Sequence, residues 1–354
     1  MQSILITGAG GYIGSNAAEY FVRQGYDVTG MVHRKVNSRF EKSGAKVVSG
    51  DLDDPVSLEA LFEKRYDYVL HIAARASDVG KDEWFRRENF EATKVLATQA
   101  VTHGVRRFVY LSTADVYGLH DFHGESEEEL PFDEAVSNPY PKYKIQSEKW
   151  LAANLAPERF SCVRPCVVFG NGDTTITPRT IDYLRKSPLL FHFGRWKGEN
   201  RWPLAHVENV CRSLHSAMIL PEASGQGVTV LDSKFTTLRQ YYREIAREFL
   251  EGKRLRECCL PTATVWPLAW LSTHLSRRKP LFDPTLYSLD TIIHNLDFSN
   301  RRMLDWFKAA NLKEFSCGHC RYEQVHQMRG LRQGLHCQGF DHSGGWFSCD
   351  ASGE

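Results

Sequence analysis

A tyrosine and a lysine stand four residues apart in the segment SNPYPKYKIQSEKW, residues 137–150. If this segment opens a helix, Tyr140 and Lys144 lie on one face, one turn apart. A free phenol has a pKa of about 10, and a neighbouring ammonium favours the phenolate. Such a tyrosine can exchange a proton with a carbonyl–alcohol couple while a cofactor carries hydride. The spacing favours Tyr140 over Tyr143, because Ser147 rather than a lysine follows Tyr143 by four residues.

Two hydroxyl residues, Ser112 and Thr113, end the apolar strand pattern RRFVYLST at residues 106–113. Ligands of open α/β sheets bind beyond the C-terminal ends of the strands. A hydroxyl there can hold a substrate oxygen beside the tyrosine, although its ordinary role is to bond its own backbone. An isolated Tyr–Lys pair would indicate only a surface helix, whereas the added hydroxyls favour a catalytic site.

A glycine cluster follows the first strand pattern. The segment ITGAGGYIGS carries Gly8, Gly11 and Gly14 between a strand and a helix. Glycines at these positions let the backbone turn tightly and approach a pyrophosphate, which the free N–H groups of the helix N-terminus can bind. A glycine triplet alone is a weak signal, but its strand–turn–helix context predicts a dinucleotide site.

The end of the second strand bears on the choice of cofactor. An NAD site would have a carboxylate there, whereas this chain has Val32, followed by His33 and Arg34. Arginine pairs well with the 2′-phosphate of NADP, so the sequence favours NADP over NAD, with a solvated basic loop as the alternative. Asp51, after the third strand, is assigned to the adenine amino group or, nearly equally, to capping a helix.

The elements that must position these residues alternate along the first 170 residues. Strongly apolar strand patterns separated by helix patterns predict an α/β fold with a doubly wound parallel (Rossmann) sheet covered on both faces. Strands are predicted at residues 3–7, 26–32, 45–51, 66–74, 106–113 and 160–170, and helices at 12–24, 54–65, 82–103 and from Pro139 onward.

The rest of the chain predicts a smaller C-terminal substrate-binding domain. The NAD(P)-binding domain is assigned to residues 1–170, with later strands from about 200–232, and the substrate-binding part to residues 171–315, which opens with a loop-like stretch. Residues 316–354 are rich in glycine, cysteine and histidine and predict a weakly ordered tail. The CGHC within it has poor zinc spacing, so no metal is expected.

Composition excludes several classes of protein. The 354 residues are 42% apolar and 25% charged, with a net charge of +1, which argues against a nucleic-acid partner. Nine scattered cysteines and the start MQSILITGAGG, which is no signal peptide, favour the cytoplasm.

No segment reaches membrane-spanning length. The apolar segment LPTATVWPLAWL, residues 260–271, is expected to be buried or pocket-lining, with peripheral membrane contact as the alternative.

Several motifs in one order resemble a known family. They are TGAGGYIG, GDLDD, HIAA, STADVYG, YPKYKIQSE, RPCVVFG and HVENV. Over roughly residues 1–315 the chain resembles the extended short-chain dehydrogenase/reductases, also called the NAD-dependent epimerase/dehydratase family. The resemblance implies a catalytic triad of Thr113, Tyr140 and Lys144. With the patterns above, it assigns the cofactor to Gly8, Gly11, Tyr12, Ile13, Gly14, His33, Arg34, Asp51, Leu52, Ala73, Asn89, Tyr140 and Lys144, and the substrate to Ser112, Asp115 and His206.

Three positions depart from the family pattern. Tyr143 replaces a small residue before the lysine, Ala114 replaces the first acid of the sugar dehydratases, and Val167 replaces an asparagine of many sugar epimerases. The resemblance therefore implies an NAD(P)-dependent oxidoreductase acting on a carbonyl or secondary alcohol, with a nucleotide-sugar-like substrate expected first. Alternatives are an epimerase with bound NAD, a steroid-dehydrogenase-like reductase of an apolar substrate, and a non-catalytic NAD(P)-binding subunit. A homodimer is expected from the family alone.

Overall fold

Seven parallel strands form the central sheet, and this confirms the predicted doubly wound arrangement. The structure, a computed structural model, describes residues 1–33, 36–232, 236–276 and 279–312. The strands are Ser3–Thr7 (β1), Asp27–Val32 (β2), Lys46–Ser49 (β3), Tyr68–His71 (β4), Arg107–Leu111 (β5), Phe160–Pro165 (β7) and Gly227–Val230 (β12). Side by side in the sheet, they follow the order β12, β7, β5, β4, β1, β2, β3.

Helices cover both faces of this sheet because successive side chains of a strand point in opposite directions. Ile4 and Ile6 of β1 pack into one apolar cluster, whereas Leu5 between them packs into the other. The first cluster is closed by helices Tyr12–Arg23 (α1), Val207–Ile219 (α8) and Arg301–Ala309 (α12). The second is closed by Pro55–Ala60 (α3), Ala92–Thr102 (α5) and Pro139–Asn154 (α6).

Shorter elements lie around the C-terminal edge of the sheet and in the later part of the chain. Four of the described strand pairs are separate from the central sheet: β8 with β11, β9 with β14, β6 with β15 and β10 with β13. The remaining elements are Ser38–Lys42 (α2), Asp82–Phe85 (α4), Phe122–Glu125 (β6), Val167–Phe169 (β8), Ile176–Lys186 (α7), Leu189–Phe193 (β9), Arg201–Trp202 (β10), Leu204–His206 (β11), Thr236–Thr237 (β13), Leu238–Phe249 (α9), Arg256–Leu260 (β14), Trp266–Leu275 (α10), Leu286–Ile293 (α11) and Leu296–Phe298 (β15).

Three details of the predicted elements need correction. The strand predicted at 160–170 is interrupted at Cys166, because β7 joins the central sheet while β8 pairs with β11. The stretch expected to be a loop after residue 170 already begins helix α7 at Ile176. The helix pattern at 82–103 contains a π-helical segment, Arg86–Glu91, between α4 and α5. Such segments often mark functional sites, because they turn a side chain out of register.

The apolar segment at 260–271 is the clearest difference. It was expected to be buried or pocket-lining, but Trp266, Leu268, Trp270 and Leu271 are exposed. Among the described residues, none of the helices is both long and apolar enough to cross a bilayer. The predicted domain division at residue 170 stays a prediction, as does the expected homodimer. The predicted cysteine- and histidine-rich tail at 316–354 lies outside the described residues.

A buried ion pair connects α6 to the sheet. The Arg164 guanidinium on β7 donates from Nε to Glu148 Oε1 at 3.0 Å and from Nη2 to Glu148 Oε2 at 2.6 Å. Its Nη1 also donates to the Tyr117 hydroxyl at 2.8 Å. Both members of the pair are largely shielded from water, so each charge depends on the other. The pair holds α6, and with it Tyr140, at a set position relative to the sheet.

We expect Arg164→Met to lower the free energy of unfolding by about 3–5 kcal/mol, because it leaves Glu148 charged and buried without its partner. Urea unfolding measures this change. Lys186→Ala is the matched control, since its pair with Asp182 is exposed and its loss should cost under about 1 kcal/mol. Equal losses in the two variants would contradict the structural role given to Arg164.

Candidate active site

A glycine cradle lies where β1 meets α1. Gly8 has a φ of +70°, and a Cβ there would lie 2.8 Å from the Ala73 backbone. A Cβ on Gly14 would lie 2.1 Å from the Gly8 carbonyl oxygen, so that position admits no side chain. Gly11 precedes the first turn of α1, and no side chain in the described part of the chain caps this helix N-terminus. The free N–H groups and the close-approaching backbone therefore fit the pyrophosphate of a dinucleotide.

The cradle opens into one large cavity of about 860 Å³, within the size range of small-molecule sites. The cavity runs beyond the C-terminal ends of the strands, where ligands of open α/β sheets bind. The residues predicted from sequence that lie on its wall are Gly8, Gly11, Tyr12, Ile13, Gly14, His33, Asp51, Leu52, Ala73, Thr113, Asp115 and Tyr140. The predicted cofactor, substrate and proton-transfer groups thus share one space.

At one end of the cavity, His33 and Asp51 meet. The His33 Nε2 lies 3.1 Å from Asp51 Oδ2, and both side chains are about half exposed. The two residues follow β2 and β3, next to each other in the sheet. They occupy the place expected for the adenosine part of a dinucleotide. Arg34, predicted to bind the same part, lies outside the described residues.

Asn89 lies behind the wall rather than on it. Its amide donates to the Arg75 carbonyl at 3.0 Å and its carbonyl accepts from the Arg75 N–H at 2.7 Å. The π-helical segment turns Asn89 toward this loop. Asn89 therefore fixes the backbone that carries Ala73 on the cavity wall, and its predicted direct contact with the cofactor stays a prediction that this geometry does not favour.

Helix α6 presents Tyr140 to the cavity from its first turn. The helix begins at Pro139, and the Asn138 side chain caps it by accepting from the Tyr140 N–H at 2.8 Å. One turn later Lys144 is 1% exposed and donates from Nζ to the Leu111 carbonyl at 2.6 Å. Its Nζ lies 5.8 Å from the centre of the Tyr140 ring. Burial lowers the pKa of Lys144 to about 7, although the Glu148 carboxylate acts in the opposite direction.

The Tyr140 phenol holds its proton firmly in this structure. Burial raises its pKa above the usual range, and the nearby Asp115 carboxylate raises it further, whereas a hydrogen bond with Thr113 lowers it. The sequence led us to expect a phenolate favoured by Lys144, and the net effect here is the opposite. The reason is that burial penalises the anion. In this environment the phenol therefore keeps its proton.

Thr113 and Asp115 form a second polar group on the wall. The Thr113 hydroxyl donates to Asp115 Oδ2 at 2.9 Å, and the Tyr287 hydroxyl donates to the same oxygen. Burial raises the pKa of Asp115, and the hydrogen bonds from Tyr287 and Thr113 lower it. Tyr287, on α11, was missed by sequence reasoning. No local motif marks it, because it lies 172 residues beyond Asp115 along the chain.

Ser112 and His206 do not reach the cavity wall. Ser112 is buried and its N–H donates to the Val163 carbonyl at 2.7 Å, so it continues the sheet. His206 caps α8, where its Nδ1 accepts from the Glu208 N–H at 3.4 Å, and its own N–H donates to Asp232 at 3.0 Å. The substrate contacts predicted for these two residues stay predictions that the geometry does not favour, because a strand end and a helix start use them structurally.

Tyr143 turns away from the cavity. Its hydroxyl donates to Asp82 Oδ2 in the first turn of α4, and Lys142 Nζ donates to Asp82 Oδ1 at 2.8 Å. The bulky phenol thus replaces a small residue by joining α6 to α4 rather than by filling the cofactor space. Of the two tyrosines, Tyr140 is therefore the one on the cavity wall, and its catalytic role stays a prediction.

Family comparison now adds to this geometry. The model of the NAD dependent epimerase/dehydratase family matches residues 4–230. The chain belongs to this family. Relatives within it include both reductases and sugar epimerases, so membership by itself leaves the substrate open.

Two relatives and one solved structure illustrate this range. The chain is 30% identical to the 2-alkyl-3-oxoalkanoate reductase of Stenotrophomonas maltophilia over 59% of this chain and 62% of that protein, less than two thirds of its length. It is 27% identical to the UDP-glucose 4-epimerase of Vibrio cholerae over 69% and 75% of the two chains. The UDP-glucose 4-epimerase of Thermotoga maritima, solved with UDP-glucose, matches with a TM-score of 0.68 at 20% identity, covering 94% of this chain and 100% of that one. This structural likeness shows the shared fold of the epimerase/dehydratase family.

We expect Gly11→Ala to weaken NAD(P)H binding by about tenfold, or roughly 1.4 kcal/mol. Its Cβ would lie 3.2 Å from the Gly8 carbonyl oxygen, a tight contact that requires the cradle backbone to shift by a few tenths of an ångström beside the proposed pyrophosphate position. Quenching of tryptophan fluorescence during cofactor titration measures the change. The unfolding midpoint of the same variant is the control. Unchanged cofactor affinity would contradict the cradle.

Proposed function

We propose that this protein is an NAD(P)-dependent oxidoreductase that interconverts a carbonyl group and a secondary alcohol. The observation that carries this proposal is that Thr113 and Tyr140 line the same cavity as the glycine cradle, with Lys144 directly behind the tyrosine. Family membership supports the same reaction class. A binding subunit without activity has no need for a buried lysine one turn below a cavity-facing phenol.

Thr113, Tyr140 and Lys144 have separate roles in the proposed proton transfer. The Thr113 hydroxyl, which donates to Asp115 in this structure, would turn its proton to the substrate oxygen and hold that oxygen beside Tyr140. In the reductive direction the Tyr140 phenol gives its proton to that oxygen, and in the oxidative direction the phenolate takes it back. Lys144 stabilises the phenolate that forms for a moment, because a positive charge nearby favours the anion. A bound nicotinamide cofactor would supply or accept the hydride at the substrate carbon.

The walls around this site favour an apolar substrate body. The substrate side is lined mostly by carbon-rich side chains: Leu119, Val167, Val168, Ile176, Trp202, Leu296 and Phe298. Among the described wall residues, the lysine and arginine side chains are Arg75 and Arg179 only. Arg75 is paired with Glu88, and Arg179 is paired with Asp78 at 3.3 Å and with Asp283. A diphosphate would need positive charge that these carboxylates already neutralise.

A nucleotide sugar is the second candidate substrate. It was the first expectation from sequence, and the likeness to a UDP-glucose 4-epimerase supports it. The two classes differ in what the purified protein holds. An epimerase that recycles its cofactor would carry tightly bound NAD, whereas a reductase would consume added NADPH. A panel of medium-chain 3-oxo acids, cyclic ketones and nucleotide sugars, followed by the loss of NADPH absorbance, separates them.

NADP rather than NAD is our proposal for the cofactor. Val32 stands where an NAD site would have its carboxylate, and His33 faces the cavity beside it. Asp51 works against this choice, because its carboxylate lies 3.1 Å from His33 and would repel a 2′-phosphate. Competing titrations of NADPH and NADH decide the preference.

Tyr140→Phe tests the proposed chemistry. We expect kcat with an accepted ketone to fall at least about a hundredfold, the usual contribution of one acid–base group, while NADPH binding stays within about twofold. Tyr143→Phe is the matched control, because it removes a phenol on the same helix that turns away from the cavity and donates to Asp82, and its kcat should be nearly unchanged. If Tyr140→Phe reduces the ketone as fast as the unmutated protein, the role given to Tyr140 is wrong.

A further inference from the structure

Helix α10 buries small side chains and exposes large apolar ones. Its buried stripe consists of small side chains, Ala269 and Ser272, preceded by Val265. Its large apolar side chains point to solvent instead: Trp266, Leu268, Trp270, Leu271 and Leu275. The following segment adds Leu281 and Phe282, which are also exposed. We refer to these seven residues as the α10 patch.

The patch concentrates the exposed apolar surface of the molecule. Among the described residues, thirteen large hydrophobic side chains are exposed, and seven of them belong to the α10 patch. Single exposed apolar residues need no explanation, but a contiguous group marks an interaction surface. Two tryptophans within one turn of each other strengthen this interpretation, because tryptophan is enriched at lipid–water interfaces.

The charge of the surrounding sequence indicates which kind of partner fits. Residues 258–282 contain no aspartate or glutamate, and they include Arg277, Arg278 and Lys279 directly after α10. Lys279 is exposed. An apolar helix flanked by basic residues is the combination that binds an anionic lipid surface, where each nearby lysine or arginine strengthens the attraction.

A second copy of the chain fits this surface less well. Two α10 patches placed face to face by a two-fold axis would offer no aspartate or glutamate within residues 258–282 of either copy to pair with the exposed Lys279 of the other. Like charges at an interface oppose association. A bilayer with anionic headgroups presents the opposite charge to the same residues, so the charge pattern favours lipid over self-association.

The length of the helix determines how it would meet a bilayer. Helix α10 has ten residues, or about 15 Å at 1.5 Å per residue. A span needs about 20 residues. The helix can therefore lie only along the surface, with its tryptophans and leucines in the headgroup region.

The patch is also close to the cavity. The buried stripe of α10 packs on Leu289 of α11, and the α10 residue Thr273 accepts from the Leu286 N–H at 2.8 Å. From α11, Tyr287, Ser288 and Thr291 line the cavity. A single helix thus separates the α10 patch from the proposed substrate space.

We propose that the α10 patch docks this protein onto the surface of an anionic lipid bilayer, with α10 lying in the headgroup region and its basic flank on the lipid charges. The docking does not depend on the proposed reaction, because none of the seven patch residues lines the cavity. It would bring the cavity next to a source of apolar molecules.

Vesicle flotation with the full chain tests the proposal. The protein is mixed with vesicles of phosphatidylcholine alone or of phosphatidylcholine with phosphatidylserine. We expect the protein to float with the mixed vesicles and less with the neutral ones. Trp266→Ser/Trp270→Ser should lower the bound fraction at limiting lipid by about tenfold. Val47→Ser/Val56→Ser, two exposed apolar residues on β3 and α3, is the matched control and should leave binding unchanged.

A second variant separates the two parts of the surface. Arg277→Gln/Arg278→Gln/Lys279→Gln should remove the preference for phosphatidylserine and leave weak binding to both vesicle types. Unfolding midpoints and NADPH binding should stay unchanged in all variants, so that a loss of flotation is separate from any failure of the site. Absence of flotation, or equal flotation of the tryptophan variant, would overturn the proposal. So would a protein that ignores vesicles but loses a dimer in light scattering when the tryptophans are replaced.

Discussion

The site depends on one buried contact, the hydrogen bond from Lys144 Nζ to the Leu111 carbonyl at 2.6 Å. A lysine that is 1% exposed is costly to bury, and the fixed acceptor at the end of β5, together with the Tyr110 ring centred 4.5 Å from Nζ, offsets part of that cost. The contact joins α6 to the edge of the central sheet. That geometry places Tyr140 and Thr113 on one wall, and it sets the lysine close enough to respond to the charge of the phenol.

The later part of the chain completes this site from the opposite side. Tyr287 on α11 donates to Asp115, which also accepts from Thr113. A movement of α11 would therefore change the hydrogen bonds of the residue that is proposed to hold the substrate oxygen. The same helix packs against α10. Helix α11 thus connects the cavity and its proton-transfer residues to the exposed apolar surface of α10.

Most of the sheet and of the cofactor cradle could be predicted from the sequence, because local residue patterns determine both. The apolar runs predicted all but the details of β7 and β8, and Gly8, Gly11 and Gly14 marked the cradle within one strand–turn–helix unit. The interruption at Cys166 was not visible, because a continuous apolar run looks the same whether its halves pair with one sheet or with two.

The features that the sequence did not predict depend on contacts between residues far apart in the chain. Tyr287 was missed because only the folded chain brings it to Asp115. Ser112 and His206 lie off the cavity wall, a position that the sequence did not reveal because strand ends and helix starts use the same residue types as ligand sites. The exposure of α10 escaped prediction for a similar reason: an apolar segment is expected to be buried, and the sequence does not tell which neighbour would cover it. Residue types in the sequence indicated which side chains could take part in a site. Only the structure showed which of them point into the cavity.

The most direct test of the account follows the hydride itself. NADPH deuterated at its transferable position is incubated with the protein and an accepted apolar ketone, and the product is analysed by mass spectrometry. The account predicts one deuterium on the carbinol carbon of the alcohol for each NADPH oxidised. A product that is an isomer of its substrate and carries no label, formed while the added NADPH stays intact, would contradict it.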